Sequence, residues 1–290
     1  MTLTDMDQPA LSPVPAHQVT DAQLARYATL VYQRTGIRIP PQKKTLLSNR
    51  LRRRLRETGI VGFGEYYNHL KRIPPDDPEW DAFLQEITTH ETFLFRDEGQ
   101  WNWFRKSYLP QCAQEARSGT RKRSLRIWSA ACSTGDEVYT AACCIAACLP
   151  NYQQWSIHIL GTDIGVGAVE QAKAGVFAER AMRRVPESYK RRYFVKARDD
   201  ELWQARPLLT EMVAFRQHNL MVPLAERPFD LVFLKNVLIY FDPASKKRVI
   251  QNVCAVMRPG GLLVAGPAEG IADLVREYVR LQPWLYQRPQ

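Results

Sequence analysis

The sequence predicts an α/β protein in which a doubly wound, largely parallel sheet with an antiparallel edge follows an all-helical amino-terminal segment. Two patterns carry that expectation. Short apolar runs, such as the one from Leu125 that stops at Ser129–Gly135, Ile157–Thr162 and Phe229–Phe233, end in small or polar residues and alternate with helix-like stretches. Strands that deliver ligand-binding residues at their carboxyl ends read this way. Ahead of them, Asp21–Glu86 shows helical leucine and aromatic periodicity broken by Gly36, Pro40–Pro41, Gly59 and Pro74–Pro75, which reads as several short helices.

Taken in order, residues 1–20 are polar and proline-dotted and read as a disordered tail, and residues 21–95 form the helical domain. Residues 96–121 hold a linker helix over Trp101–Ala116 and a polar loop, SGTRKRS, over Ser118–Ser124. A sheet domain over residues 122–290 follows. Its first strand stops at Ser129–Gly135, a run with so little side-chain bulk that backbone amides can approach a ligand closely. The second strand ends in Asp163. Residues 175–211, charged and aromatic, are too many for one crossover helix and predict a helical piece with a small antiparallel excursion. Val213–Gln217 reads as a third strand leading to His218 and Asn219. Phe229–Phe233 is apolar apart from its aspartate, as a central strand covered on both faces should be, and it runs into Lys235, Asn236 and Ile239–Tyr240. A helix over Pro243–Met257, a Gly-Gly turn into a buried strand (RPGGLLVAG) and a hairpin-like Tyr278–Tyr286 close the chain.

The small-residue strand end is a nucleotide-type pocket. Asp136 and Glu137 stand where a phosphate cradle wants amides and a cation, and no GxxxxGK[ST] occurs, so a cationic or neutral ligand fits better than a polyphosphate. Asp163 sits where such folds place an acid for the ribose hydroxyls; the competing reading is a cap for the helix that follows.

The formal charge of +10 asks for an acidic or polyanionic partner. Much of it lies in Leu46–Glu57, where Leu47, Leu51 and Leu55 share one helical stripe, Arg52, Arg53 and Arg56 project from the other face and Arg50 lies toward its edge. The arginines are not interleaved with aromatics, and helix-turn-helix and RNA-recognition signatures are absent, so nucleic acid is not the expected partner. Six cysteines lack CxxC spacing, and three sit in AACCIAACL, a small-residue helix where they serve as compact apolar groups. Five scattered histidines form no ligand cluster, so no metal is expected. With neither a leader-like start nor a run of eighteen apolar residues, the chain reads as cytoplasmic, monomeric and not inserted in a membrane.

Six stretches in one order then resemble the CheR-type chemoreceptor glutamate O-methyltransferases, which use S-adenosylmethionine: TTHETFLFRD (Thr88–Asp97), IWSAACSTGDEVYT (Ile127–Thr140), GTDI (Gly161–Ile164), HNL (His218–Leu220), FDLVFLKNVLIYFD (Phe229–Asp242) and RPGGLLVAGPAE (Arg258–Glu269). The resemblance covers about residues 20–290 and implies a Rossmann-like methyltransferase sheet with an inserted β-subdomain. It implies cofactor contacts from His90, Thr92, Arg96, Glu137, Asp163, Asn219, Leu220, Lys235 and Asn236, and catalytic roles for Arg96 and Tyr240. Asp136 is expected to be a cap or a solvated neighbour of Glu137. The resemblance further implies that Arg50, Arg52, Arg53 and Arg56 dock the acidic methylation helices of a chemoreceptor's cytoplasmic domain. Val195–Pro207 contains no glycine, unlike the loop with which some members hold a receptor's terminal pentapeptide, so no such tether is expected. His90 stands in place of an asparagine, Lys235 of an arginine, Asp136 of a glutamate, Val138 of a proline, and GPAE of GHSE. A cofactor- or receptor-binding protein without turnover, and a methyltransferase acting on another substrate such as RNA, are the alternative readings.

Overall fold

The computed structural model describes residues 18–197 and 202–290. Most of the expected tail, residues 1–17, lies outside that range, as do residues 198–201 within the glycine-free stretch on which the tether expectation rests.

Helices α1 (Asp21–Thr35), α2 (Lys44–Thr58), α3 (Phe63–Arg72) and α4 (Pro78–Ile87) pack around Tyr27, Leu51, Tyr66 and Phe83, all fully buried. Thr20 starts α1 through a capping box with Gln23, and Gly36 ends it in the left-handed conformation at φ 72°. On α2 the leucine stripe falls inside as the periodicity requires. Arg54 also lies inside, where Glu79 takes its Nε and Nη2 at 3.1 and 2.5 Å.

Helix α5 (Glu98–Trp103) runs through a wider turn over Phe104–Tyr108 into α6 (Leu109–Arg117). The linker helix is therefore continuous, and the wide turn stands just before Pro110, whose ring a regular turn would not accommodate.

Strands β1 (Ser124–Ala130), β2 (Ser156–Asp163), β3 (Val176–Ala178), β4 (Phe194–Lys196), β5 (Leu202–Ala205), β6 (Val213–Gln217), β7 (Phe229–Leu234), β8 (Met257–Ala265), β9 (Val279–Gln282) and β10 (Leu285–Gln287) form two sheets. The larger has the order β6-β2-β1-β7-β8-β10-β9, parallel as far as β8 and antiparallel at β10 and β9. The smaller, β3-β5-β4, is the antiparallel excursion expected from residues 175–211. Every residue of β7 is buried, as its apolar run demands of a central strand.

Helices α7 (Asp136–Cys148) and α8 (Val166–Ala174) follow β1 and β2. Short helices α9 (Glu179–Met182), α10 (Glu187–Tyr193) and α11 (Pro207–Thr210) belong to the insertion, and α12 (Pro243–Ala255) joins β7 to β8. In α7, Cys143 and Cys144 are fully buried against the sheet. Among the described residues no helix is long and apolar enough to cross a membrane.

The chain winds outward from β1 to β2 and β6, then returns to β7 on the other side of β1. The crevice beside the carboxyl ends of β1 and β7 is the switch point at which such sheets bind ligands. The helical domain covers it. Ile37 bridges to Phe241, Arg38 N–H donates to the Tyr240 carbonyl at 2.9 Å, Tyr32 donates to Asp242 at 2.9 Å, and Gln85 of α4 accepts from Ala168 N–H in α8 at 3.2 Å.

Candidate active site

Register sets the floor of the cleft. Ala130 lies beside Thr162 on one side and Leu234 on the other, and Leu234 lies beside Ala265. One residue further, Asp163, the last residue of β2, stands in a row with Ala131, Lys235 and Gly266, which have left their strands. Gly161 makes room behind them: a Cβ there would stand 2.6 Å from the Phe215 ring and 2.9 Å from Val138. Phe95, Asp97, Ala131, Ser133 and Asn236 hold φ between 53° and 63°, a conformation side chains other than glycine rarely adopt. All five lie in the segments that wall the cleft, and such strain persists only where packing enforces it.

A single cleft brings together His90, Thr92, Arg96, Glu137, Asp163, Asn219, Leu220, Lys235, Asn236, Tyr240 and Arg50. Arg52, Arg53 and Arg56 lie outside it. Arg53 meets Glu86 at 3.3 Å, Arg52 pairs with Asn49, and Arg56 is exposed.

Asp163 is buried and accepts from Ser133 N–H at 2.8 Å and from Gly165 N–H at 2.9 Å, so it fastens the β1 loop and the entry to α8 at once. A carboxylate offers about four lone-pair directions, so two face no backbone donor. His90 Nδ1 lies 3.7 Å from Asp163, and its Nε2 is 2.7 Å from the Thr88 hydroxyl. Burial lowers the His90 pKa, with Asp163 opposing and Arg50 assisting.

Lys235 lies under the cleft with 3% of its side chain exposed. Its Nζ is 3.0 Å from Asp97 and 3.1 Å from Glu137, over the Trp101 ring. Glu137 also accepts from Ser129 at 2.8 Å. The ammonium is therefore a strut between the helix α5 entry and the α7 entry. Asn219 is similarly engaged, donating to the Arg34 carbonyl at 2.7 Å and accepting from Met221 N–H at 3.0 Å. Arg96 donates to the Glu91 carbonyl at 3.1 Å, lies over the Phe93 ring and, among the described residues, has no carboxylate within ion-pair distance; neither Asp97 nor Glu98 holds it. Tyr240 is half-buried on the cleft wall with Lys43 over its ring, rather than lost in the core.

Asp136 departs from expectation. It is buried, not solvated: Thr134 donates to it at 2.6 Å, and burial raises its carboxyl from the usual 3.8 to about 6. The start of the helix packs closely against Ala172 and Phe215 at Gly135, and Asp136 is shut in there while its neighbour Glu137 faces the cleft.

Two family models match the chain: the CheR methyltransferase all-alpha domain over residues 22–88 and the CheR methyltransferase SAM binding domain over residues 90–282. The chain belongs to the CheR methyltransferase family. Similar relatives include chemotaxis protein methyltransferases of Klebsiella aerogenes (33% identical, spanning 90% of this chain and 87% of that protein) and Escherichia coli (32%, 90% and 88%). Chemotaxis protein methyltransferase 2 of Pseudomonas aeruginosa is 34% identical over 82% of this chain and 83% of its own. The sheet domain is accordingly the S-adenosylmethionine-binding domain of a chemotaxis methyltransferase.

Two residues that shape the cleft, Glu269 and Ser133, carried no clear signal in the sequence. Glu269 is fully buried and accepts from Val237 N–H at 3.2 Å and Leu238 N–H at 2.7 Å, pinning the segment that presents Tyr240; burial raises its pKa against those bonds. Ser133 donates its hydroxyl to the His90 carbonyl at 3.0 Å, tying the loop over the cleft to its floor. Only the acid in GPAE hinted at Glu269, and a serine in a small-residue run gives no hint at all.

Proposed function

We propose that this chain transfers a methyl group from S-adenosylmethionine to glutamate side chains of a chemoreceptor cytoplasmic domain, forming methyl esters in chemosensory adaptation. The observation that supports this best is one cleft carrying three features: a buried acid, Asp163, at a strand end with Glu137 beside it at the start of α7, a carboxylate-free arginine on the covering loop, and an edge from the basic helix α2.

The residues fit the cofactor. The two open lone-pair directions on Asp163 suit a ribose diol, and Glu137 suits the ammonium of the amino-acid portion. Leu220, Ala131 and Val237 supply apolar wall, while Thr92, Asn219 and Asn236 offer polar groups for the adenine and carboxylate ends. His90 and Lys235 shape the cofactor's bed, the first by its contact with Asp163 and the second by holding Glu137. When bound, S-adenosylmethionine supplies an electrophilic methyl carbon on a sulfonium.

The chain's own work is positioning. A glutamate, with a reference pKa of about 4.3, is ionised at pH 7 and needs no base. Arg96 orients the incoming carboxylate, Tyr240 borders its approach, and the covering loop keeps water from the anion. A cation and an anion become neutral products, so a dry, aligned cleft supplies most of the acceleration. Arg50 at the cleft edge, with Arg52, Arg53 and Arg56 beyond it, steers an acidic receptor helix toward the opening.

Labelled methyl transfer to receptor cytoplasmic domains encoded in the same genome tests the reading. Replacing the labelled glutamate by alanine should remove the signal; transfer only to RNA, or binding of the cofactor without turnover on any receptor, would overturn it.

A further inference from the structure

Phe93, on the loop that covers the cleft, lines the cleft itself and carries an arginine cluster on its ring. The Arg183 guanidinium carbon is 4.1 Å from the ring centroid, Arg184 is 5.6 Å away and Arg96 is 5.8 Å away. Arg183 and Arg184 follow α9 in the inserted subdomain, and Leu94 N–H donates to the Ala181 carbonyl at 3.1 Å, so loop and insertion are joined at this spot. Among the described residues no carboxylate lies within ion-pair distance of Arg96, Arg183 or Arg184, although Arg183 and Arg184 are exposed and free to find one. Three like charges gathered on one ring repel each other, and a ring face offsets only a small part of that at an exposed site. The arrangement is that of a receptor for anions.

Its position names the anion. Arg96 lines the cleft, whereas Arg183 and Arg184 are exposed on the same ring outside it, within reach of an acidic chain seated in the cleft beside Phe93. We propose that Arg183 and Arg184 form a second basic rim, separate from helix α2, that binds carboxylates flanking the acceptor glutamate and so selects sites within an acidic segment. This rests on the reading that a receptor glutamate is the substrate. The guanidinium fork favours bidentate carboxylate contact over simple charge attraction.

The test is the pair Arg183→Gln and Arg184→Gln in the full chain, assayed on the cytoplasmic methylation helices of each chemoreceptor encoded in the same genome. Losing two exposed ion pairs should raise the receptor KM about tenfold. Turnover at saturating receptor and S-adenosylmethionine affinity should stay near wild type, and the KM should depend less steeply on salt. Arg183→Lys with Arg184→Lys should recover part of the loss, because charge remains while the fork does not. An unmoved receptor KM in the Gln pair, with wild type active, overturns the rim alone. Loss of cofactor affinity or thermal stability in the Gln pair, without a KM effect, makes the cluster a packing device and also overturns it. Wild type inactive on every receptor overturns the substrate reading and the rim with it.

Discussion

Lys235→Met isolates the strut beneath the cleft. The ammonium lies about 3 Å from both Asp97 and Glu137, at 3.0 and 3.1 Å, with 3% of its side chain exposed. Methionine keeps the stem's packing on Trp101 but leaves two carboxylates facing the vacated charge. Removing one partner of a buried ion pair costs about 3–5 kcal/mol. Asp97 is 31% exposed and Glu137 16%, so water relieves part of this, and the expected loss is about 2–4 kcal/mol. Urea unfolding measures it. Adding Asp97→Asn should return part of the loss, with a coupling of about 1 kcal/mol or more between neighbours sharing one contact. Lys235→Arg, which restores the residue the family resemblance implies, should remain within about 1 kcal/mol of wild type. A Lys235→Met protein as stable as wild type, within about 0.5 kcal/mol, would refute the strut and leave Lys235 to act on ligand alone.

Three further outcomes are expected. Asp163→Asn should weaken S-adenosylmethionine binding about 10- to 100-fold by calorimetry, since a charged acceptor is lost; unchanged affinity would reduce Asp163 to a fastener of Ser133 and Gly165. Arg96→Ala should lower the methylation rate far more than cofactor affinity, and equal losses in both would assign Arg96 to the cofactor. Asp136 holds its proton more tightly folded than unfolded, so its contribution to stability is full below about pH 3.8 and is lost as pH rises through about 6. Relative to Asp136→Asn, wild type should therefore lose about 1–3 kcal/mol between pH 4 and 7 in urea titrations; parallel pH profiles would show that the carboxyl is not held neutral by its burial.

Much of this molecule could be read from residue order, because its strands and breakers are local signals. The small-residue run after β1, the acid ending β2 and the apolar β7 each announce themselves within a few residues. So do the helix ends at Gly36 and Gly59, both left-handed. Part of the cleft was legible for the same reason, because the register of parallel strands carries the residues after β1, β2 and β7 to one place; His90, Thr92, Arg96 and the cofactor roles of the other expected contacts besides Asp163 came only through the family resemblance. What could not be read was pairing across the chain. The Lys235 link to Asp97, the Glu269 hold on Val237 and Leu238, and the gathering of Arg183 and Arg184 on Phe93 join residues far apart in sequence. Solvation was misread at Asp136 because a charged residue beside Gly135 reads as surface, while the close packing of α7 on the sheet is set by Ala172 and Phe215 from other elements.

The chemistry of the product decides the central claim. Receptor cytoplasmic domains labelled from methyl-labelled S-adenosylmethionine should release the label as volatile methanol under mild alkali, because a glutamyl methyl ester hydrolyses where a methylated amine or nucleobase does not. Label that resists alkali, or that never reaches the receptor, would contradict the assignment of this cleft to glutamate esterification.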